Sequence, residues 1–227
     1  MFKSKYSSFL TIMLIVTIIA IIVIFSILGV RTYNKYKKNK DASTAIDKFN
    51  ENYNITNQNN TQNNNGQALD DQNVAINDKS TDEGGTTGKT RKVTYYNNYV
   101  MLGYIEIPVI RIKYPILEQE TVASLEKAVA VRYPNSPQLN TVGNVVIVGH
   151  NYRNGMFFSN LKNVSVGDKI KITDTNGQTQ VYTIYEKYET TPEDSTYITR
   201  DVGENIEITL VTCTDDSNAR IIVKAKV

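Results

Sequence analysis

Hydrophobic and polar positions divide this chain into three unlike stretches. Residues 9–30, FLTIMLIVTIIAIIVIFSILGV, run for 22 positions without a charge. At about 1.5 Å rise per residue such a run crosses a ~30 Å hydrocarbon core, so it predicts a transmembrane helix. A cleaved secretory signal fits less well, because its apolar region is usually about 7–15 residues long and closes on a small-residue cleavage site. Ser26 and Gly29 stand in no such setting. Residues 1–8 form a short segment ahead of the helix. Beyond it the apolar pattern fades, and over residues 50–77 fifteen of 28 positions are Asn or Gln. Such a composition buries too little apolar area to offset chain entropy. Residues 31–94 are therefore expected to be a polar, flexible, disordered linker.

From residue 95 short apolar runs return, separated by turn signals. GYIEIPVIRIKYPI alternates with period two and breaks at Pro108 and Pro115, which predicts two strands. TVASLEKAVA suits a short helix capped by Thr121 or Ser124. NVVIVGH reads as a buried strand, and residues 156–161 as one or two helical turns. Asn176-Gly177 between KIKIT and QVYTIYEKYE is a hairpin signal. The final pair, IEITLVTC and ARIIVKAKV, flanks a loop over residues 214–218. About eight strands and two short helices predict a mostly β domain over residues 95–227, an eight-stranded closed β-barrel, since closure removes exposed edges.

Charge changes this picture in two places. Residues 1–94 carry twelve Lys or Arg and eight Asp or Glu, while residues 95–227 carry thirteen and fifteen. The folded part lacks the basic balance of a nucleic-acid binder. The cluster Arg31, Lys35, Lys37, Lys38 and Lys40 instead suits phospholipid headgroups. Against Lys3 and Lys5 before the helix, that cluster by the positive-inside rule alone would keep the C-terminal bulk in the cytoplasm, although long domains translocate largely regardless of charge.

The chain holds one cysteine and one histidine, Cys213 and His150, so an internal disulfide is excluded. Arg220 follows the cysteine by seven positions. A catalytic thiol needs deprotonation, a proton donor for the leaving group and a cationic or hydrogen-bonding partner for the developing oxyanion. These residue types supply all three: cationic neighbours favour a thiolate, imidazole exchanges protons near neutrality, and guanidinium stays charged. All three lie at predicted strand ends, where side chains can meet. Each also has an ordinary explanation: a small core filler, a structural histidine, a surface arginine.

TLVTC with Arg220 downstream, VGHN some sixty residues earlier, GYIEIPVIRIKYPI and RYPNSPQLNTVGNVVIVGH resemble the sortases, membrane-anchored cysteine transpeptidases of Gram-positive bacteria with an eight-stranded barrel. The resemblance covers most of residues 98–227, and the anchor and linker match the family's layout. It implies Cys213 as nucleophile, His150 as general acid/base and Arg220 as stabiliser of substrate or oxyanion. It also implies a substrate groove beside the strand before the cysteine, with Thr209, Leu210, Val211 and Thr212 as substrate-binding residues. The implied substrates are surface proteins with a C-terminal LPXTG-like sorting signal. The implied acceptor is an amine of a cell-wall precursor, and the catalytic domain would lie outside the cell on a single-pass anchor.

No DPW or DPF-like lid motif precedes His150, and the segment before Cys213 has no room for the long helix of class B, so a class D-like or atypical class A or E member is expected. No cofactor or metal is expected: Glu186, Glu189, Glu193 and Asp194 read as a solvated acidic edge, and a hard-cation site needs about six to eight oxygens in fixed geometry. Asp215 and Asp216 read as a solvent-facing turn with a second option of orienting His150 or Arg220. Two other functions share the sequence features, a thiol endopeptidase that transfers only to water and a tethered, non-catalytic surface binding module.

Overall fold

The computed structural model describes residues 3–62, 93–132 and 138–227. From Tyr95 the alternating segments become strands β1 (Tyr95–Tyr96), β2 (Tyr99–Ile107), β3 (Ile112–Leu117), β4 (Val129–Val131), β5 (Gly143–Val148), β6 (Lys169–Asp174), β7 (Thr179–Thr190), β8 (Ile206–Cys213) and β9 (Arg220–Lys226). In space they run β2-β3-β4-β5-β8-β9-β7-β6, and β6 pairs back onto β2, which closes an eight-stranded barrel. β1 stands outside this ring, paired only to β2. The β3–β4 and β5–β8 pairs are parallel. Closure crowds β2 at its bulge after Met101, where a Cβ on Gly103 would stand 2.0 Å from the Thr173 carbonyl oxygen. Only glycine lets β2 and β6 approach there.

Inward-facing Ile105, Ile107, Ile147, Ile172, Leu210 and Val223 fill the barrel. The predicted hairpin between β6 and β7 forms, with Gly177 at φ 69° and Asp174 Oδ1 accepting from the Asn176 and Gln178 amides at 2.7 and 3.1 Å. The helix expected from TVASLEKAVA is a single turn, α2 (Val122–Leu125), capped reciprocally by Thr121 and Ser124; the segment then becomes β4. Between β5 and β6 the helical element is one 3₁₀ turn, Leu161–Asn163, slightly later than expected.

The N-terminal part departs most from expectation. Helix α1 (Lys3–Gln62) runs through the apolar stretch, whose side chains over residues 9–30 are all exposed, and continues unbroken. Residues 31–62 are therefore helical rather than a flexible linker; residues 63–92 lie outside the described residues. Ala42, Ala45, Ile46 and Phe49 follow helical spacing and are buried against the barrel. Ile46 and Phe49 cluster with Met101, and Phe49 meets Tyr104 edge-on with ring centroids 6.0 Å apart. Ala45 packs with Tyr96 and Leu117, and Asn39 Oδ1 accepts the Tyr114 hydroxyl at 2.7 Å. A helix of polar composition holds here because the barrel supplies the apolar partner that the local sequence lacks.

Phe49→Ala is expected to cost about 3 kcal/mol at this contact. Amide exchange should quicken over residues 42–52 while β5 and β8 keep their protection. Unchanged exchange in that segment would show that the stripe does not hold the helix.

Candidate active site at the barrel rim

Cys213 is the last residue of β8 and Arg220 the first of β9, and the two are direct partners in the antiparallel ladder, so their side chains share a face. On that outer face lie Val211 and Ile222; Leu210 and Val223 belong to the inner one. On the other side of β8, parallel β5 aligns Val148 with Val211, which puts His150 and Cys213 two residues further at the same level. Two bonds carry this register past the strand end, from the Gly149 amide to the Val211 carbonyl at 3.1 Å and from Thr212 Oγ1 to the Gly149 carbonyl at 2.7 Å. The structure thus brings all three predicted residues to one rim, with Cys213, His150 and Arg220 half-buried.

Neighbours of the imidazole were not legible beforehand. His150 Nε2 lies 3.7 Å from Glu126 Oε1, and its ring centroid is 5.1 Å from that of Tyr152. That nitrogen is shielded from solvent and has no hydrogen-bond partner among the described residues. Burial first, and the Glu126 carboxylate second, hold the Tyr152 phenol above its ordinary value. Asn151 ties the ends of β5 and β8 together, its Nδ2 donating to the Cys213 carbonyl at 3.0 Å and to Asp215 Oδ1 at 2.9 Å. Lys162 also pairs with Asp215, and together these bonds hold its carboxyl below the usual range. Asp215 therefore braces the loop after Cys213, and Asp216 bonds its own turn at Thr214 and Asn218. Arg220 donates to the Ala219 carbonyl at 3.2 Å and forms no ion pair among the described residues, which leaves its guanidinium charge free for an incoming anion.

The expectation that Thr209, Leu210, Val211 and Thr212 contact substrate needs correction, since all four are buried. Leu210 faces the barrel core, and Val211 lies under Tyr197 and Ile198 of the β7–β8 loop. The Thr209 and Thr212 hydroxyls are spent on Asn144 and Gly149. The physical reason is twofold: Leu210 and Thr212 face into the barrel, and the loop over residues 191–205 covers the outer face that carries Thr209 and Val211. A polar network holds it there. Asn144 Nδ2 donates to the Tyr197 carbonyl at 3.0 Å, Arg200 pairs with Glu207 at 2.6 Å, and the Tyr185 hydroxyl donates to Glu207 at 2.7 Å. Of the acidic residues nearby, Asp194 accepts from Thr190 at the end of β7 and from Thr196 in this loop, and Glu186 pairs with Lys224 at 2.8 Å.

Comparison with known proteins bears on this geometry. The sortase domain family model matches residues 105–227. Sortase A from Corynebacterium diphtheriae is similar at 31% identity and a TM-score of 0.52, with 57% of this chain matching 61% of that one. A sortase D5 transpeptidase from Clostridium perfringens matches over 82% of this chain and 98% of its own at 24% identity and a TM-score of 0.58. Streptococcus agalactiae sortase C1 matches at 24% identity and a TM-score of 0.51, over 56% of this chain and 68% of its own. The two at 24% speak to the fold. No curated protein matches the chain.

A Cβ on Gly149 would stand 2.7 Å from Phe158 Cδ2 and 2.9 Å from Val129 Cγ1, so the strand end can approach these side chains only as glycine. Gly149→Ala is expected to destabilise the fold by about 1–3 kcal/mol and to shift the imidazole NMR signals of His150, the sole histidine. An unmoved signal would mean that Gly149 does not position the ring.

A second expectation concerns alkaline pH. Burial first, then the hydrogen bond to Glu207, pushes the Tyr185 phenol up to about 12 from 10.0. The folded state then holds its proton more tightly than the unfolded chain. The stabilisation is complete below pH 10 and is lost as pH rises through about 12. Denaturant midpoints measured between these limits should fall less steeply for Tyr185→Phe than for wild type, and an identical slope would remove Tyr185 from the account.

Proposed function

The chain belongs to the sortase family, and we propose on that premise that it is a cysteine transpeptidase anchored to the membrane by residues 9–30. It would cleave an LPXTG-like sorting signal and pass the protein, through its new threonine carboxyl end, to an amine of a cell-wall precursor. The observation that carries this reading is the pairing of Cys213 with Arg220 across β8 and β9, with His150 level with them on the β5 side. The barrel would face outward, where such signals and amines are found. The β7–β8 connection of residues 191–205, which contains no helix, supports a class D-like or atypical class A or E member over class B.

In the first half-reaction Cys213 Sγ attacks the threonine carbonyl of the Thr–Gly bond, with the thiol proton passing to His150. The tetrahedral oxyanion develops beside the Arg220 guanidinium, which stabilises it without needing to reorganise. The C–N bond breaks, the glycine amine departs with the proton from His150, and a thioester remains. In the second half an acceptor amine attacks the thioester, gives a proton to His150 and releases Cys213 as the thiol. Each residue thus acts in both halves, with the proton returning to its starting point.

The full chain in detergent micelles, incubated with LPXTG-like peptides and triglycine, is expected to give the transfer product by mass spectrometry. Cys213→Ala should abolish it. His150→Ala should lower kcat/KM by about 10³-fold and Arg220→Ala by about 10²–10³-fold. Cleavage with hydrolysis only would identify a thiol endopeptidase. Absence of any cleavage, with Cys213→Ala leaving surface display unchanged in cells, would favour a non-catalytic binding module.

A further inference from the structure

Helix α1 leaves the apolar stretch at Val30 and continues in the same rod past Lys38, which at about 1.5 Å per residue stands ~12 Å beyond the end of that stretch. From Arg31 up to this height the helix and the catalytic rim border an open cleft of about 1090 Å³. Its basic side chains come from both walls, Arg31, Lys35, Lys37 and Lys38 from α1, and Lys127 and Arg153 from the barrel. Asp41 and Glu126 are the carboxylates in the lining, so the cavity carries a formal excess of four positive charges, six against two.

Sequence composition places four of these cations after a membrane segment, where a solvated basic stretch facing headgroups is the ordinary reading. The fold adds something that composition does not. It turns Lys127 and Arg153, distant along the chain, toward the same space. The cations are also largely unspent. Arg31, Lys35, Lys37 and Lys127 form no ion pair among the described residues, and Arg153, also without an ion pair, donates to Ser217 Oγ at 3.3 Å. Lys38 donates to the Glu126 carbonyl at 3.2 Å and lies 5.4 Å from the Tyr152 ring centroid, so it fixes α1 against the wall that also borders His150. Gathering like charges around one concavity is unfavourable by itself and becomes favourable around an anion. The lower part of the lining, Arg31 to Lys35 at about 1.5–7.5 Å beyond Val30, lies within the headgroup layer of a bilayer spanned by the apolar stretch, where lipid phosphate is met before other anions.

We propose that this cavity binds the phosphate headgroup of an anionic phospholipid from the leaflet facing the barrel. Arg31, Lys35 and Lys37 would engage the phosphodiester from the helix side and Lys127 and Arg153 from the barrel side. The lipid then acts as a clamp between α1 and the rim, holding the Glu126–Tyr152 wall beside His150. The cavity exceeds what a bare phosphate fills, which favours a headgroup over inorganic phosphate.

Binding is measured without turnover, so the result stands apart from the transpeptidase reading. The full chain in uncharged maltoside micelles is titrated with dihexanoyl phosphatidylglycerol, dihexanoyl phosphatidylcholine or inorganic phosphate, with stoichiometry checked by native mass spectrometry. Saturable one-to-one binding of the phosphatidylglycerol is expected, about tenfold tighter than either comparison ligand. The triple variant K35Q/K37Q/R153Q should weaken it by about tenfold or more. A control with the same charge change outside the cavity, K113Q/K171Q/K226Q, should bind as wild type does, and thermal unfolding shows that both variants fold. Equal binding by K35Q/K37Q/R153Q and wild type, equal loss in the control, equal affinity for inorganic phosphate, or no saturable binding would each overturn the proposal.

Discussion

Strand β8 is held by six aligned pairs to parallel β5 and by seven to antiparallel β9. Because side chains along a strand alternate with period two, a slip of one residue in either ladder would turn Cys213 inward and bring Ile208 and Leu210 to the outer face. Each of those two is fully buried, and exposing each costs about 1.5–3 kcal/mol. The slip would also strip Thr209 of its bond to Asn144 and Glu207 of its pair with Arg200. The packing that stabilises the barrel is thus the same packing that presents a thiol, a guanidinium and an imidazole on one rim. Chemistry at the rim inherits its alignment from apolar residues that never touch it.

The outer face of β8 is finished by the loop over residues 191–205. Tyr197 and Ile198 cover Val146, Val211 and Ile222, while the Asn144–Tyr197 and Arg200–Glu207 contacts fasten the loop beneath. A buried ion pair of this kind is weak evidence for net stability, because desolvation offsets its attraction. Its better-supported consequence is geometric. Three hydrogen bonds, two from Arg200 and one from Tyr185, converge on Glu207 and Asn144, so one loop position satisfies all of them and others leave a buried charge unpaired. With the lower part of β8 covered in this way, a peptide approaching this face meets the strand only at its Cys213 end.

Much of this was legible from the chain. Period-two alternation marked β2 and β3, Asn176-Gly177 marked the β6–β7 hairpin, and the sole cysteine and sole histidine, with Arg220 downstream, marked the rim at strand ends. What was misread shares one physical cause, a partner supplied from far along the chain. The run Ile206 to Val211 is nearly continuous in apolar and small residues, a signature of burial on both faces, yet nothing local says that residues 191–205 supply the second cover. Glu126 stands 3.7 Å from His150 only because α2 and the end of β5 meet across β4. The stripe of Ala42, Ala45, Ile46 and Phe49 is four residues in a polar stretch, and it becomes meaningful only with Met101, Tyr96 and Leu117 beneath it.

That docked stripe changes what the N-terminal region does for the rim. A flexible linker of the 64 residues from 31 to 94 would give the barrel an r.m.s. reach of about 40–50 Å from the bilayer. The active groups would then sample a broad shell at low effective concentration toward anything fixed in the membrane. A single helix that leaves the apolar stretch and packs on β2 and β3 within twenty residues removes that freedom. Lys38 contacts the rim at the Glu126 carbonyl, ~12 Å beyond Val30, so the distance of the rim from the apolar stretch is set by helical rise. With the apolar stretch in a bilayer, as proposed above, a partner confined to the membrane surface would meet the rim at one fixed level.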